Sequence, residues 1–238
     1  MSKTTRLPSI ITNRKVSRFQ SVDAFRVLAI AAVVLIHTTP FETASSAIGN
    51  ELDAATIVNQ LARFAVPFFF VISGFFWSRK ISSTGDVVGS SLQLSKRLLV
   101  LFCSWSLIYL VPWNAAETFN FGTFGPLKHI YWNLSSSVSH PLRTLFEGTG
   151  IHLWFLMGLL WSVMISALLL RLRLEFALAP FAVLLYAVGL AGKAYRDTPI
   201  GFHVDFNFRD GPFFSLVFFV TGHFLHTRRS GHRWFRTG

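Results

Sequence analysis

The sequence predicts an all-α fold, a polytopic integral membrane helical bundle of about six transmembrane helices, and three observations lead there. Hydrophobic residues make up 52% of the 238-residue chain and charged residues only 14%, with mean hydropathy +0.48; soluble domains carry roughly 25% charge. Six apolar stretches approach the roughly 20 residues that a helix needs to cross a hydrocarbon core of about 30 Å. None alternates with period two, as barrel strands would, and backbone polar groups in lipid must then be paired inside helices.

The elements follow in order. Residues 1–21 are a polar, basic, cytoplasmic N-terminal segment. The first span, 22–40, has no small-residue cleavage pattern before Pro40, so it reads as a retained anchor rather than a cleaved signal peptide. The second, 61–77, contains Pro67, which removes a backbone donor and is expected to kink the helix. The third, 98–113, encloses Cys103, the one cysteine, which excludes intrachain disulfides and multi-cysteine metal sites. The segment 114–151 is too polar to span and too aromatic (Phe119, Phe121, Phe124, Tyr131, Trp132) for a free linker, so it is expected to pack against the membrane face. Spans follow at 152–170, 176–192 and 211–227, then a basic cytoplasmic tail, 228–238. No repeat or second soluble domain is visible; 22–227 reads as one membrane domain.

Charge sets the orientation. With the N-terminus in the cytoplasm, fifteen Lys and Arg fall inside and six outside, as the positive-inside rule requires. Both termini are then cytoplasmic. The same asymmetry accounts for most of the net charge of +11, so the lipid bilayer is the expected partner and nucleic acid is not.

Ionisable residues inside a span are expensive and mark candidate function. Arg26 and His37 stand eleven positions apart in the first span, about 16 Å along the axis and within about 20° of one face. An arginine suits a phosphate and a histidine suits proton transfer; the bland alternative is a snorkelling arginine and a histidine bonded to a neighbouring helix. In the second span a kink residue, an aromatic block and the Ser73-Gly74 pair permit close approach of another helix or a thin ligand. The histidines His129, His140, His203 and His232 show no metal-ligand spacing. His223 and His226 share a helical face and read as interfacial residues, so no metal site is expected.

Taken together, these segments resemble the membrane acyltransferase-3 family. Asp23, Arg26 and His37 are similar to its D-x-x-R-x(10)-H first helix, Phe69 to Gly74 to its F-F-x-x-S-G, and His152 to Leu156 to its H-L-W-F-L helix start. Gly211 to Gly222 (GPFFSLVFFVTG) resembles one of its later spans. The resemblance implies a bacterial inner-membrane O-acyltransferase, in particular a surface-polysaccharide O-acetyltransferase of the enterobacterial common antigen kind. Such an enzyme moves an acyl group from cytoplasmic acyl-CoA, as acetyl-CoA, to a sugar hydroxyl of an envelope glycan or a lipid-linked precursor; acyl-CoA is a donor substrate, not a resident cofactor. By the same resemblance His37 is the catalytic histidine and Arg26 its partner. Arg26, Lys96, Arg97, Ser73 and Gly74 meet acyl-CoA, and His152 and Trp154 face the acceptor. Two departures bear on this. Val100 stands where relatives often carry a second arginine, and the family has about ten spans against six here, so a fragment or short variant is expected. A small transporter or channel and an inactive truncated remnant are the alternatives to an acyltransferase.

Overall fold

The computed structural model describes residues 20–38, 54–110, 122–141, 143–144, 153–204, 207–208 and 210–231. Among these, every regular element is helical. Helix α1 (Gln20–Thr38) carries Asp23 in its first turn, where a carboxylate complements the positive helix end. Its small Ala29 and Ala32 are buried with Ala62 and Ala65, while Phe25 meets Phe68 at 6.1 Å between ring centres, so α1 runs antiparallel to the segment that follows.

That segment is broken. Helix α2 (Ala54–Ala62) and helix α3 (Ala65–Thr84) are separated by the turn at Arg63 and Phe64. The kink expected at Pro67 is therefore replaced by a break three residues earlier. Pro67 sits in the first turn of α3, where a backbone N–H would have no helical acceptor and nothing is lost by its absence. Glycine ends α3: Gly85, at φ +68°, donates its N–H to Ile81 O at 2.9 Å, the left-handed cap that avoids a Cβ penalty. Helix α4 (Val87–Leu110) starts two residues later, with Asp86 Oδ1 accepting from Gly89 N–H at 2.8 Å as an N-cap. This tight connection makes α3 and α4 neighbours.

A 3-10 turn (Gly122–Phe124) leads into helix α5 (Gly125–Ser139), which touches α4 and lies in the segment expected outside the bilayer. At 15 residues it is about 22 Å long and too short to cross. Helix α6 (Trp154–Arg171) packs on α4, and a turn with Arg173 at φ 60° leads into helix α7 (Glu175–Gly192). Helix α8 (Pro212–Ser230) opens with proline at its first position, where the missing donor is an orphan anyway.

The core lies where α3, α6, α7 and α8 meet, around Phe70, Trp77, Val163, Leu178, Leu216 and Phe219. Helices α3 and α8 touch backbone to backbone. A Cβ on Gly74 would lie 1.9 Å from Phe219 O, and one on Gly222 would lie 1.9 Å from Val71 O. Small residues permit this approach, and dispersion rather than the hydrophobic effect holds helices together in lipid. Beside it, Ser215 Oγ sits 2.8 Å from Gly158 O, 2.7 Å from Gly211 O and 2.8 Å from Ser162 Oγ. Two buried hydroxyls thus serve carbonyls of α6 and of the residue before α8, a polar clasp inside the apolar layer.

The six spans expected are not all confirmed. Among the described residues, four segments are long and apolar enough to cross a membrane: Gln20–Thr38, Thr56–Thr84, Trp154–Arg171 and Glu175–Gly192. The expected span at 98–113 falls on α4 as far as Leu110, its last three residues lying outside the described residues, and that at 211–227 falls on α8; these long helices carry Lys96 and Arg97, and His223, His226, Arg228 and Arg229, respectively. Their charge lowers their apolarity below that of the other four.

Candidate anion cavity between α1, α3 and α4

Two helix stripes build the site. On α3, Ser73, Phe76, Trp77 and Lys80 recur at helical spacing; on α4, Ser90, Leu94 and Arg97 do the same. The short α3–α4 turn sets these stripes opposite each other, and α1 closes the third side with Arg26. The result is a cavity of about 280 Å³ lined by Arg26, Ser73, Phe76, Trp77, Lys80 and Arg97, with Ser90 and the apolar Ile72, Leu94 and Leu159.

Its charge is one-sided. Among the described residues three cations line it and no lining residue is acidic. Arg26 reaches Asp23 Oδ1 at 3.3 Å, and its guanidinium lies 5.0 Å from the centre of the Phe76 ring, a cation–π distance. With both side chains of the Asp23 pair close to half exposed, that bridge is worth little and leaves the guanidinium able to turn to a ligand. Lys80 Nζ donates to Gln93 Oε1. The indole N–H of Trp77 donates to Ser91 Oγ at 2.9 Å in a buried bond, which fixes the ring as a wall. Two partly buried cations, Arg26 and Lys80, and the exposed Arg97 beside apolar rings favour an anion with an apolar portion.

Of the residues singled out in the sequence, Arg26, Ser73 and Arg97 come together here. Lys96 does not. Neighbours on a helix point about 100° apart, and Lys96 faces an open groove on the outside of α4 with Leu92, Ser95, Leu99 and Cys103. Gly74 lies buried against the backbone of α8 and is not among the cavity's lining residues. His37 is exposed in the last turn of α1, and it lies outside the cavity, about 16 Å along the helix from Arg26. Trp154 belongs to an aromatic cluster with Phe70 and Phe214, each at 6.4 Å between ring centres. His152 lies outside the described residues. Reading the sequence missed Lys80, Phe76, Trp77 and Ser90. The spacing of Ser73, Phe76, Trp77 and Lys80 on one face was the signal that could have found them. Among the described residues no group of three or more His, Cys, Asp or Glu side chains could hold a metal.

Helices apolar enough to cross a bilayer, arranged around a cavity of fixed positive charge, define an integral membrane protein. Over residues 19–237 the chain matches the acyltransferase domain of the acyltransferase-3 family, and it belongs to that family. Three curated relatives are similar at low identity. Two named amino-acid racemase, both from Enterococcus faecalis, are 27% and 25% identical over 88% and 90% of this chain. A serine/alanine racemase from Enterococcus gallinarum is 27% identical over 85%. The chain spans 28–29% of the length of these relatives. No solved structure matches it.

Proposed function

We propose that this chain is a membrane O-acyltransferase that takes an acyl group, as acetyl, from cytoplasmic acyl-CoA and places it on a sugar hydroxyl of an envelope polysaccharide or its lipid-linked precursor. The observation that carries the reading is the convergence of Arg26, Lys80 and Arg97 on one cavity with apolar walls, in a chain of an acyltransferase family. Phosphates suit the fork-shaped guanidinium groups and the apolar wall suits an acyl arm. In this reading the cavity opens to the cytoplasm of a bacterial inner membrane and both chain termini share that side. His37, at the opposite end of α1, takes the acceptor proton. The ester C–O bond forms as the thioester C–S bond breaks, and the hydroxyl proton passes to the imidazole and from it to the departing sulfur, so that CoA leaves as its thiol. General-base assistance of this kind is worth about 10²–10⁴-fold.

The test is transfer of labelled acetyl from acetyl-CoA to the glycolipid fraction of membranes containing this chain, beside His37→Ala. Label that needs His37 supports the reading; equal label in both, or none with the chain inserted, overturns it. The names of the curated relatives favour a second reading of the acceptor, an amino acid in place of a sugar. Label in the water-soluble amino acid fraction would decide for it.

A further inference from the structure

His223 is not the interfacial residue that its spacing suggested. It is buried on α8, 1% exposed, and among the described residues neither ring nitrogen has a hydrogen-bond partner. Its Nε2 lies 3.7 Å from Oε1 of Glu175, the first residue of α7, whose side chain is only 25% exposed. A buried imidazole left without partners is destabilising, and an apolar side chain of similar volume would avoid that loss. The nearby carboxylate is the acceptor that would satisfy it, and a movement of less than 1 Å brings it within hydrogen-bond range.

The ring's other side faces the cavity's inner wall. Its centre is 5.7 Å from that of Trp77, which also leans on Phe219 at 5.2 Å. Trp77 is held at its N–H by Ser91 on α4 and on its face by α8. Gly222, next to His223, presses α8 against the backbone of α3, so the ring cannot withdraw by helix separation. One contiguous path therefore joins Glu175 on α7, His223 on α8, Trp77 on α3 and the cavity.

We propose that His223, hydrogen-bonded through Nε2–H to Glu175, is a positioning residue that holds the Trp77 indole as the inner wall of the anion cavity. The ligand part of this proposal rests on the reading that the cavity takes acyl-CoA; the positioning part does not. The experiment uses the whole chain in detergent micelles with tryptophan labelled at the indole nitrogen, the Trp77 signal being assigned from Trp77→Phe. In His223→Phe the Trp77 N–H signal shifts and its exchange with solvent rises about tenfold. CoA binds about tenfold more weakly, at unchanged kcat for acetyl transfer. His223→Gln, which still donates to Glu175, restores both. Trp77→Phe combined with His223→Phe binds CoA no more weakly than Trp77→Phe alone, because the histidine acts through the indole.

An unmoved Trp77 signal in His223→Phe overturns the proposal, as does unchanged CoA affinity in a chain whose wild type binds CoA. Should wild type not bind CoA at all, the functional reading fails while the Trp77 signal still decides the positioning role. Should His223→Phe not fold, Glu175→Ala is measured instead, with the same shift expected and an unmoved signal again overturning the proposal.

Discussion

Replacing Gly74 with alanine tests how the bundle is held together. The added methyl would sit 1.9 Å from Phe219 O, against about 3.4 Å for an ordinary contact, so α3 and α8 must part by about 1.5 Å. The obstacle is backbone, which cannot rotate away as a side chain can. Overpacking of this kind costs about 1–3 kcal/mol. Gly222→Ala meets Val71 O at the same 1.9 Å on the same interface and should cost a similar amount. One separation relieves both clashes, so the double variant should cost little more than the worse single one, well short of their sum. Unfolding of the purified protein by added SDS, followed by circular dichroism, measures all three. Stabilities within about 0.3 kcal/mol of wild type for both single variants, or full additivity in the double, would refute the close-contact argument.

Three further outcomes follow from the geometry. Arg97→Ala should weaken CoA binding about tenfold, the loss of one charge-assisted contact, whereas Lys96→Ala, on the outer groove, should leave it unchanged; calorimetric titration with CoA checks the pair, and equal losses would contradict the division. Ser215→Ala removes one of two hydroxyls shared between the carbonyls of Gly158 and Gly211 and should lower stability by about 1 kcal/mol, read from the same SDS titration; no loss would mean that the clasp contributes nothing. Tags at both termini should be reachable only from the cytoplasm, and labelling of either from the outer face of intact cells would undo the orientation derived from the charge count.

Much of this was legible in the residues, for identifiable reasons. The long apolar runs of α1, α6 and α7 announce themselves because lipid leaves helix as the way to pair the backbone, and their observed ends lie within two residues of those expected. Arg26 was found because an ionisable group in such a run stands out, Ser73 and Arg97 because they match motifs of the resemblance. The break at Arg63 and Phe64 was not legible: Pro67 signals a disturbed helix but not on which side the disturbance falls. Lys80 was hidden by its bland alternative as a flanking charge. Lys96 and Arg97 look equivalent in sequence, and only the facing of α4 against α3 separates them. The burial of His223 depends on Gly74 packing on the Phe219 backbone and Gly222 on the Val71 backbone, a pairing of distant segments that no local pattern carries.

That pairing also orders events during synthesis. The stripes of α3 and α4 that line the anion cavity leave the ribosome together and are joined by a turn of two residues, so their half of the cavity can form as soon as both are inserted. Trp77 gains its backing from Phe219 and His223 only when α8 arrives, after α5, α6 and α7 have been made. Until then the tryptophan wall lacks the two α8 rings that back it. A nascent chain can thus display every recognisable residue of the site before its wall is complete, which requires Gly74 to reach the Phe219 backbone and Gly222 the Val71 backbone.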